Sequence, residues 1–235
     1  MVGLRCNATL FPAAHSVDAF FSKLAESHLR PVVLSRTPWV LQIDGFIAED
    51  TTHAMIQQAG RFRSSVVNTP SGYRLTSFRN SSQWGCARCG SRPAQSAFAH
   101  YVERVSSLLG LPHRQSSDLL LLRYGAGGYY RRHHDFLSPQ SQPDLWNHRG
   151  PRQLTLMLYL SDNEEAAGGA TRFYIQASMR GKRVDVQPRR GRVVVWQNVY
   201  GRKPLVRDER TFHEATTLSA GTKYVATTWY HACDP

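Results

Sequence analysis

The spacing of apolar residues changes along the chain. Near the amino terminus, apolar side chains in residues 17–29 recur every three to four positions, which is the period of a helix with one buried face. Two further helices are predicted at residues 49–60, capped by residues 49–51, and at residues 94–109, closed by Gly110. The amino-terminal part of the chain therefore favours helices joined by polar segments.

Short apolar runs bounded by Gly, Pro, Asn and Asp replace this spacing after about residue 117. One earlier strand is expected at residues 39–46, which enter a turn at Asp44 and Gly45. The later strands that we expect cover residues 119–124, 153–160, 171–175, 183–186, 192–197, 211–216 and 222–229. Many short strands preceded by helices indicate a mainly β fold, a sandwich or jelly roll, with the helices against one outer face.

The length of 235 residues is enough to bury a substantial core in one large domain. We expect a helical extension over residues 1–36 and one main domain over residues 37–235, whose strand-rich core spans about residues 117–232. No apolar run approaches the roughly 20 residues of a membrane-spanning helix. The sequence therefore predicts no membrane span, and we expect a monomer.

The chain is strongly basic. Its 29 Lys and Arg residues against 17 Asp and Glu residues give a formal net charge of +12. Such a charge favours polyanions, anionic membrane surfaces or acidic protein substrates, but a solvated basic surface is an equally good interpretation. Because the basic residues are dispersed, charge alone does not name a partner.

Four cysteines are too few for a fold built on disulfides. Cys86 and Cys89 have the spacing of half a zinc site, of a redox pair or of a disulfide clamp. We favour a structural pair that restrains a loop, with two free thiols as the alternative.

Residues 119–135 hold the chemistry that organises the chain: an apolar strand, a glycine-rich turn and a second strand that ends in His133, His134 and Asp135. Alternate residues of a strand share a face, so His133 and Asp135 could bind one metal ion while His134 points away. The best candidate for a third ligand is His213. Two imidazoles and a carboxylate are typical of non-haem Fe(II) oxygenases, although the same set could hold Zn²⁺ with a water.

Lys223 lies ten residues after His213, inside an apolar and aromatic run. A buried ammonium group without an anion would be costly, so this position favours binding of an acid. An oxoacid that chelates iron needs a cation for its distal carboxylate, and Lys223 supplies one, with the Tyr124 hydroxyl as a directional partner. The combination of Lys223 with the three candidate ligands changes the interpretation from a metal site of unknown type to the active site of an oxygenase.

The chain resembles the prolyl 4-hydroxylase family of Fe(II)/2-oxoglutarate-dependent dioxygenases, in particular its compact algal, plant and protist members, over about residues 37–235. The resemblance is carried by LLRYGAGGYYRRHHDF, RQLTLMLYLSDNEEAAGGATRF, GRVVVWQN and DERTFHEATTLSAGTKYVATTWYH. It implies a double-stranded β-helix (jelly roll) core with supporting N-terminal helices. It also implies Fe(II), the cosubstrates 2-oxoglutarate and O2, and ascorbate.

The resemblance assigns residues by position. His133, Asp135 and His213 would be the catalytic iron ligands, and Lys223, Tyr124 and Thr171 would bind 2-oxoglutarate. The residues that would line the peptide channel are Tyr130, Arg152, Trp229 and His231. For each of these four, an ordinary role in the core or on the surface is the alternative.

The leading interpretation is a peptidyl-prolyl 4-hydroxylase that acts on proline-rich or collagen-like peptides and releases succinate and CO2. The runner-up is a nucleic-acid demethylase of the same iron chemistry, but those enzymes typically bind the oxoacid through arginines after the last histidine. This chain has Lys223 and no arginine beyond Arg210. A silent jelly-roll binding module is disfavoured because the ligands and the lysine are intact. The resemblance implies the endoplasmic reticulum, with the cytoplasm as the alternative because no signal peptide or anchor is visible.

Overall fold

The computed structural model of the chain describes residue 11 and residues 16–69, 72–86, 96–117, 119–175 and 181–233. Within these ranges the helices are α1 Ser16–Ala25, α2 Glu49–Gln58, α3 Ala97–Leu109 and α4 Pro143–Arg149. The first nine strands are β1 Val32–Arg36, β2 Trp39–Ile43, β3 Arg63–Ser64, β4 Val67–Thr69, β5 Gly72–Arg74, β6 Arg79–Asn80, β7 Ser82–Cys86, β8 Leu119–Tyr124 and β9 Tyr129–His133. The remaining strands are β10 Arg152–Tyr159, β11 Thr171–Tyr174, β12 Arg183–Val186, β13 Val193–Gln197, β14 Val199–Tyr200, β15 Lys203–Arg207, β16 His213–Ala215 and β17 Lys223–His231.

Two antiparallel sheets form the framework. The major sheet has eight strands in the order β1-β2-β13-β10-β17-β8-β7-β3, and the minor sheet has five in the order β12-β11-β16-β9-β6. Sequence neighbours are often separated in this order, so the framework depends on long-range pairing. The prediction of a mainly β, jelly-roll fold with supporting helices is confirmed.

The alternation of side chains along the central strands separates two apolar cores. In β10, Leu154, Leu156 and Leu158 face one core, whereas Met157 and Tyr159 face the other. Successive side chains of a strand point to opposite faces, so a fully apolar strand is buried on both sides. The predicted strands have continuous apolar sequences because both of their faces are buried.

The first core lies between the outer face of the major sheet and the helices. Phe21 of α1, Met55 of α2 and Phe98 of α3 are each fully buried in it. Helix α3 begins at the side-chain cap of Ser96 and ends at Gly110, whose φ of 64° is in the left-handed region. The helices therefore lie on one outer face of the sheet, as the sequence predicted.

The second core lies on the inner face of the major sheet and lines the space between the sheets. It contains Tyr124 of β8, Phe173 of β11, Trp196 of β13 and Val225 of β17. This inner space is open enough to hold a cavity of about 1130 Å³. Most of the candidate functional residues that the sequence indicated line this cavity.

Some elements differ from the sequence prediction. Strand β1 pairs with β2, so the expected boundary at residue 36 falls within a hairpin of the major sheet. Helix α2 starts without a side-chain cap, since Glu49 already belongs to its first turn. Helix α4 interrupts the strand-rich region, where the sequence predicted no helix.

None of the helices within the described ranges is long and apolar enough to cross a membrane.

Cys86 and Cys233 are buried, and each takes part in a disulfide bond. The proposed partner Cys89 lies outside the described residues, so the Cys86–Cys89 pairing stays a prediction.

Candidate active site

Three candidate metal ligands meet on two neighbouring strands of the minor sheet. His133 ends β9 and lies directly opposite His213, the first residue of β16, while Asp135 follows β9 by two residues. One donor atom from each residue lies within 4.8 Å of the other two. The structure therefore brings together the three residues that the sequence predicted, although Asp135 is just beyond the strand.

Both histidines present the same nitrogen to the centre of the cluster. Nδ1 of His133 lies 2.8 Å from the carbonyl oxygen of Arg131, and Nδ1 of His213 lies 3.0 Å from that of Thr211. A hydrogen on Nδ1 would be donated to these carbonyls, which leaves the Nε2 lone pair for a metal ion. The two Nε2 atoms are 3.7 and 3.8 Å from the carboxylate oxygens of Asp135.

The protonation of the cluster also suits a metal ion. Burial and the neighbouring His213 lower the pKa of His133 well below its usual range, so its imidazole is neutral at pH 7. Burial alone would raise the pKa of Asp135, but the imidazoles of His213 and His133 and the charge of Arg152 lower it to about 2. Two imidazoles, of which that of His133 is neutral, and one ionised carboxylate fit Fe(II).

A buried chain of hydrogen bonds fixes the carboxylate of Asp135. The Thr155 hydroxyl donates to Asp135 Oδ2 at 2.9 Å, and Asn198 Nδ2 donates to Thr155 Oγ1 at 2.8 Å. Thr155 and Asn198 are both fully buried. Sequence reasoning missed both residues, because only the pairing of β10 with β13 places them behind the ligand.

Lys223 lies in the same cavity, at the start of β17 and opposite Tyr124 of β8. Its side chain is only 1% exposed, and burial lowers the pKa of its ammonium group to about 7. Nζ donates to the carbonyl oxygen of Gly169 at 2.6 Å and lies 5.2 Å from the centre of the Tyr124 ring. No carboxylate among the described residues pairs with it, which leaves its charge for an anionic ligand.

Tyr124 and Thr171 also line this end of the cavity. Burial raises the pKa of Tyr124, so its hydroxyl keeps its proton and can donate it to an acceptor. Thr171 Oγ1 accepts a hydrogen bond from the Tyr159 hydroxyl at 2.7 Å. The three residues predicted to bind an oxoacid are therefore adjacent in space.

Three of the four predicted channel residues line the cavity: Tyr130, Arg152 and Trp229. The Tyr130 ring stacks on His133 with 3.6 Å between ring centroids, and the Arg152 guanidinium lies 3.9 Å from the centre of the Trp229 ring. His231 is not brought to the site. It is 1% exposed in the core, and its Nδ1 lies 3.3 Å from the carbonyl oxygen of Gly150. The structure thus does not support a substrate contact for His231.

His134 occupies the position between the two ligands of its segment but is not part of the cluster. Its Nε2 lies 2.7 Å from the Arg207 guanidinium and accepts a hydrogen bond from it. His134 is therefore outside the candidate ligand cluster, as the sequence predicted.

Four arginines of the cavity wall were also missed from the sequence: Arg79, Arg131, Arg132 and Arg207. Arg79 lies 4.4 Å from the centre of the Tyr130 ring, and Arg132 lies 4.8 Å from that of Phe212. Arg79 lies in a polar, irregular segment, and Arg131 and Arg132 lie in a predicted strand whose pattern did not indicate that they face a cavity. The aromatic neighbours that hold them come from distant strands.

Comparison with known sequences shows what the region around this site is similar to. Residues 119–231 match the profile of the 2OG-Fe(II) oxygenase superfamily. The alpha-1 subunit of prolyl 4-hydroxylase from Homo sapiens is 34% identical over 131 residues, which cover 54% of this chain and 22% of that protein. The alpha-2 subunit from Gallus gallus is 32% identical over 129 residues, covering 55% and 22%. The chain spans about a fifth of the length of these curated relatives.

Solved structures with low sequence identity share the fold. A viral collagen prolyl hydroxylase from Paramecium bursaria Chlorella virus-1, in a 2OG complex, has a TM-score of 0.58 and 21% identity, with 82% of this chain and 95% of that one covered. A Pseudomonas putida prolyl-4-hydroxylase has a TM-score of 0.59 at 18% identity, with 92% and 98% covered. A Trichoplax adhaerens prolyl hydroxylase, in complex with a hypoxia inducible factor peptide, has a TM-score of 0.62 at 17% identity, with 93% and 90% covered.

The profile match covers strands β8 to β17 and includes all three candidate ligands, Lys223 and Tyr124. Over residues 119–231 the chain is therefore similar to the 2OG-Fe(II) oxygenase superfamily, and among its members to the prolyl 4-hydroxylases.

Proposed function

We propose that the chain is a peptidyl-prolyl 4-hydroxylase that acts on proline-rich or collagen-like peptides, consumes O2 and 2-oxoglutarate, and releases succinate and CO2. The observation that carries the proposal is one cavity that holds both the His133, Asp135 and His213 cluster and the buried Lys223. The similarity to prolyl 4-hydroxylase alpha subunits supports the choice of a prolyl substrate.

Different residues of the chain would bind the metal ion and the cosubstrate. Nε2 of His133, Nε2 of His213 and the Asp135 carboxylate would hold Fe(II), which when bound supplies the oxidising chemistry that side chains lack. Lys223 would hold the distal carboxylate of 2-oxoglutarate by a charge-assisted hydrogen bond, with the Tyr124 hydroxyl beside it. Because Lys223 is 1% exposed, water competes little for this contact.

The wall on the other side of the ligands would position the peptide. Tyr130 stacks on His133, and Trp229 lies under Arg152, so a flat aromatic surface and a cation adjoin the metal site. Aromatic faces pack well on a pyrrolidine ring, and a guanidinium donates to peptide carbonyls. These contacts would hold a prolyl residue close to the ligands.

We also infer that the protein works in the endoplasmic reticulum with ascorbate as a reductant. The disulfide bonds of Cys86 and Cys233 support an oxidising compartment, because disulfides persist there and are rare in the cytosol. A monomeric state stays a prediction.

The proposal is tested by a panel of proline-rich peptides assayed with Fe(II), 2-oxoglutarate and O2. We expect a +16 Da peptide product by mass spectrometry and one succinate per product, and neither without iron. His213→Ala should lose at least about 100-fold in turnover while keeping its fold, because it removes a ligand donor. His100→Ala is the matched control, since His100 is exposed on α3.

Two outcomes would reject this function. Turnover of methylated oligonucleotides with no peptide product would favour the nucleic-acid demethylase. Full activity of His213→Ala would reject the ligand assignment, whatever the substrate.

A further inference from the structure

We propose that the physiological substrate is an acidic peptide, with carboxylate side chains close to the proline that reacts. This inference rests on the proposed prolyl hydroxylase function and specifies which peptides it uses.

The cavity wall is strongly positive. Among the described residues that line it, the arginines are Arg79, Arg131, Arg132, Arg152 and Arg207. Asp135 is the one carboxylate of the same lining, and it belongs to the metal cluster. Since Lys223 is assigned to 2-oxoglutarate, the arginine charges face the space that remains for the substrate.

Two of the arginines lie beside aromatic side chains of the site. Arg79 lies over Tyr130, whose ring stacks on His133. Arg152 lies 3.9 Å from the centre of the Trp229 ring, and both side chains line the cavity that contains the ligands. The Arg79 guanidinium is thus one side chain away from a ligand.

Arg132 and Arg131 also add positive charge to the cavity wall. Arg132 lies 4.6 Å from the centre of the Tyr174 ring and 4.8 Å from that of Phe212, the neighbour of His213. Its Nε atom is buried and has no hydrogen-bond partner among the described residues. Arg131, the residue before it, is exposed and lies over Tyr129.

Few of these charges are neutralised within the protein. Arg207 pairs with Glu209 and donates to His134. Within the described ranges, no carboxylate lies within the 4.0 Å of an ion pair from Arg79, Arg131 or Arg132. The aromatic faces hold these guanidinium groups in place without cancelling their charge.

Such a cavity selects its ligand by charge. Walls of low dielectric concentrate the field of the arginines and attract anions, and guanidinium groups match carboxylates in geometry. A neutral peptide would leave the three unpaired charges without a counterion, and a lysine-rich peptide would be repelled. A nucleic acid is also anionic, but the similarity to prolyl hydroxylases favours a peptide.

The test compares three peptides of equal length that differ only in the residues around one proline: glutamate, glutamine or lysine. We expect kcat/KM, measured from the +16 Da product, to be about tenfold higher for the glutamate peptide than for the glutamine peptide, and lowest for the lysine peptide. The preference should shrink when NaCl is raised from about 50 mM to about 300 mM, because salt screens exposed charges.

Reversing the charge of single arginines tests whether the preference for acidic peptides arises in the cavity. Arg131→Glu should raise the KM for the glutamate peptide by about tenfold and leave the glutamine peptide within about twofold. Arg123→Glu is the matched control, because Arg123 is exposed on β8 and lies outside the cavity lining while the change in net charge is the same. Arg132→Gln, which removes the charge but keeps a polar side chain, gives a second variant inside the cavity and should lower the preference for the glutamate peptide in the same way.

The outcomes separate this inference from the proposed function. Equal kcat/KM for the glutamate and glutamine peptides would overturn the acidic preference while prolyl hydroxylation stands. Equal effects of Arg131→Glu and Arg123→Glu would show that only net charge matters, which also overturns it. No product from any peptide, or turnover of an oligonucleotide instead, would reject both.

Discussion

Lys223 combines a positive charge with almost complete burial. Its side chain is 1% exposed, and burial lowers its pKa to about 7. A group of this kind is protonated below pH 7 and loses its charge above it. A bound carboxylate restores the proton, so the binding of an anion is coupled to proton uptake.

We therefore predict that the affinity for 2-oxoglutarate is highest below about pH 7 and falls up to about tenfold per pH unit above it. Calorimetric titration of the Mn²⁺-loaded protein between about pH 6 and pH 9 measures this slope, in two buffers of different ionisation enthalpy. Lys223→Ala should bind about 10- to 100-fold more weakly and show no such slope. Lys203→Ala is the control, since Lys203 is exposed. A flat profile for the unaltered protein would contradict the role of Lys223.

Thr155 acts on the metal site through Asp135. Its hydroxyl donates to Asp135 Oδ2 and accepts from Asn198 Nδ2, and all three side chains are buried. Thr155→Val keeps the shape but removes the hydroxyl, so the Asp135 carboxylate loses a donor and Asn198 loses an acceptor.

We expect Thr155→Val to weaken metal binding by about 10- to 100-fold, because partners of a ligand orient it. Competition with a coloured chelator for Co²⁺ measures this without any turnover. Thr155→Ser keeps the hydroxyl and should bind within about threefold of the unaltered protein. If the valine variant binds Co²⁺ as tightly as the serine variant, the hydroxyl has no part in orienting Asp135.

At the scale of elements, the site depends on strands that are distant in sequence. His133 and His213 face each other across β9 and β16, while Lys223 and Tyr124 face each other across β17 and β8. Helices α1, α2 and α3 lie against the outer face of the major sheet, and none of their described residues lines the cavity. The helices thus support the outer face of this sheet, whereas the candidate functional residues lie between the two sheets.

This separation gives a prediction for α3. Phe98 is fully buried against Trp84 on the outer face, so Phe98→Ala should lower the free energy of unfolding by about 3 to 5 kcal/mol. The KM for 2-oxoglutarate should not change at low temperature, since Phe98 faces away from the cavity. Urea denaturation measures the stability, and His100→Ala on the same helix should stay within about 0.5 kcal/mol. A changed KM would mean that the outer core controls the site.

At the scale of the molecule, the two sheets enclose a cavity that several ligands would share. A ligand that binds only the folded state stabilises it, by about 2.7 kcal/mol at a concentration of 100 Kd. We therefore expect Mn²⁺ and 2-oxoglutarate together to raise the Tm by roughly 5 to 10 °C. Differential scanning fluorimetry measures the shift, and His213→Ala should show little of it. An equal shift in His213→Ala would place the metal elsewhere.

The sequence by itself determined the central strands and the chemistry of the ligand cluster. Strands such as β8, β10 and β17 are apolar on both faces, so local pattern alone marked them. His133, Asp135, His213 and Lys223 were found because their residue types and intervals carry a chemical meaning. The predictions for these elements did not need the tertiary structure.

Only the tertiary structure decided which residues surround the cluster. The short polar strands β3, β6 and β7 have no periodic apolar pattern, so their pairing depends on partners far away in the chain. For the same reason Thr155 and Arg79 became part of the site and His231 became part of the core. Contacts between distant strands are fixed by packing and register, which no local stretch of sequence contains.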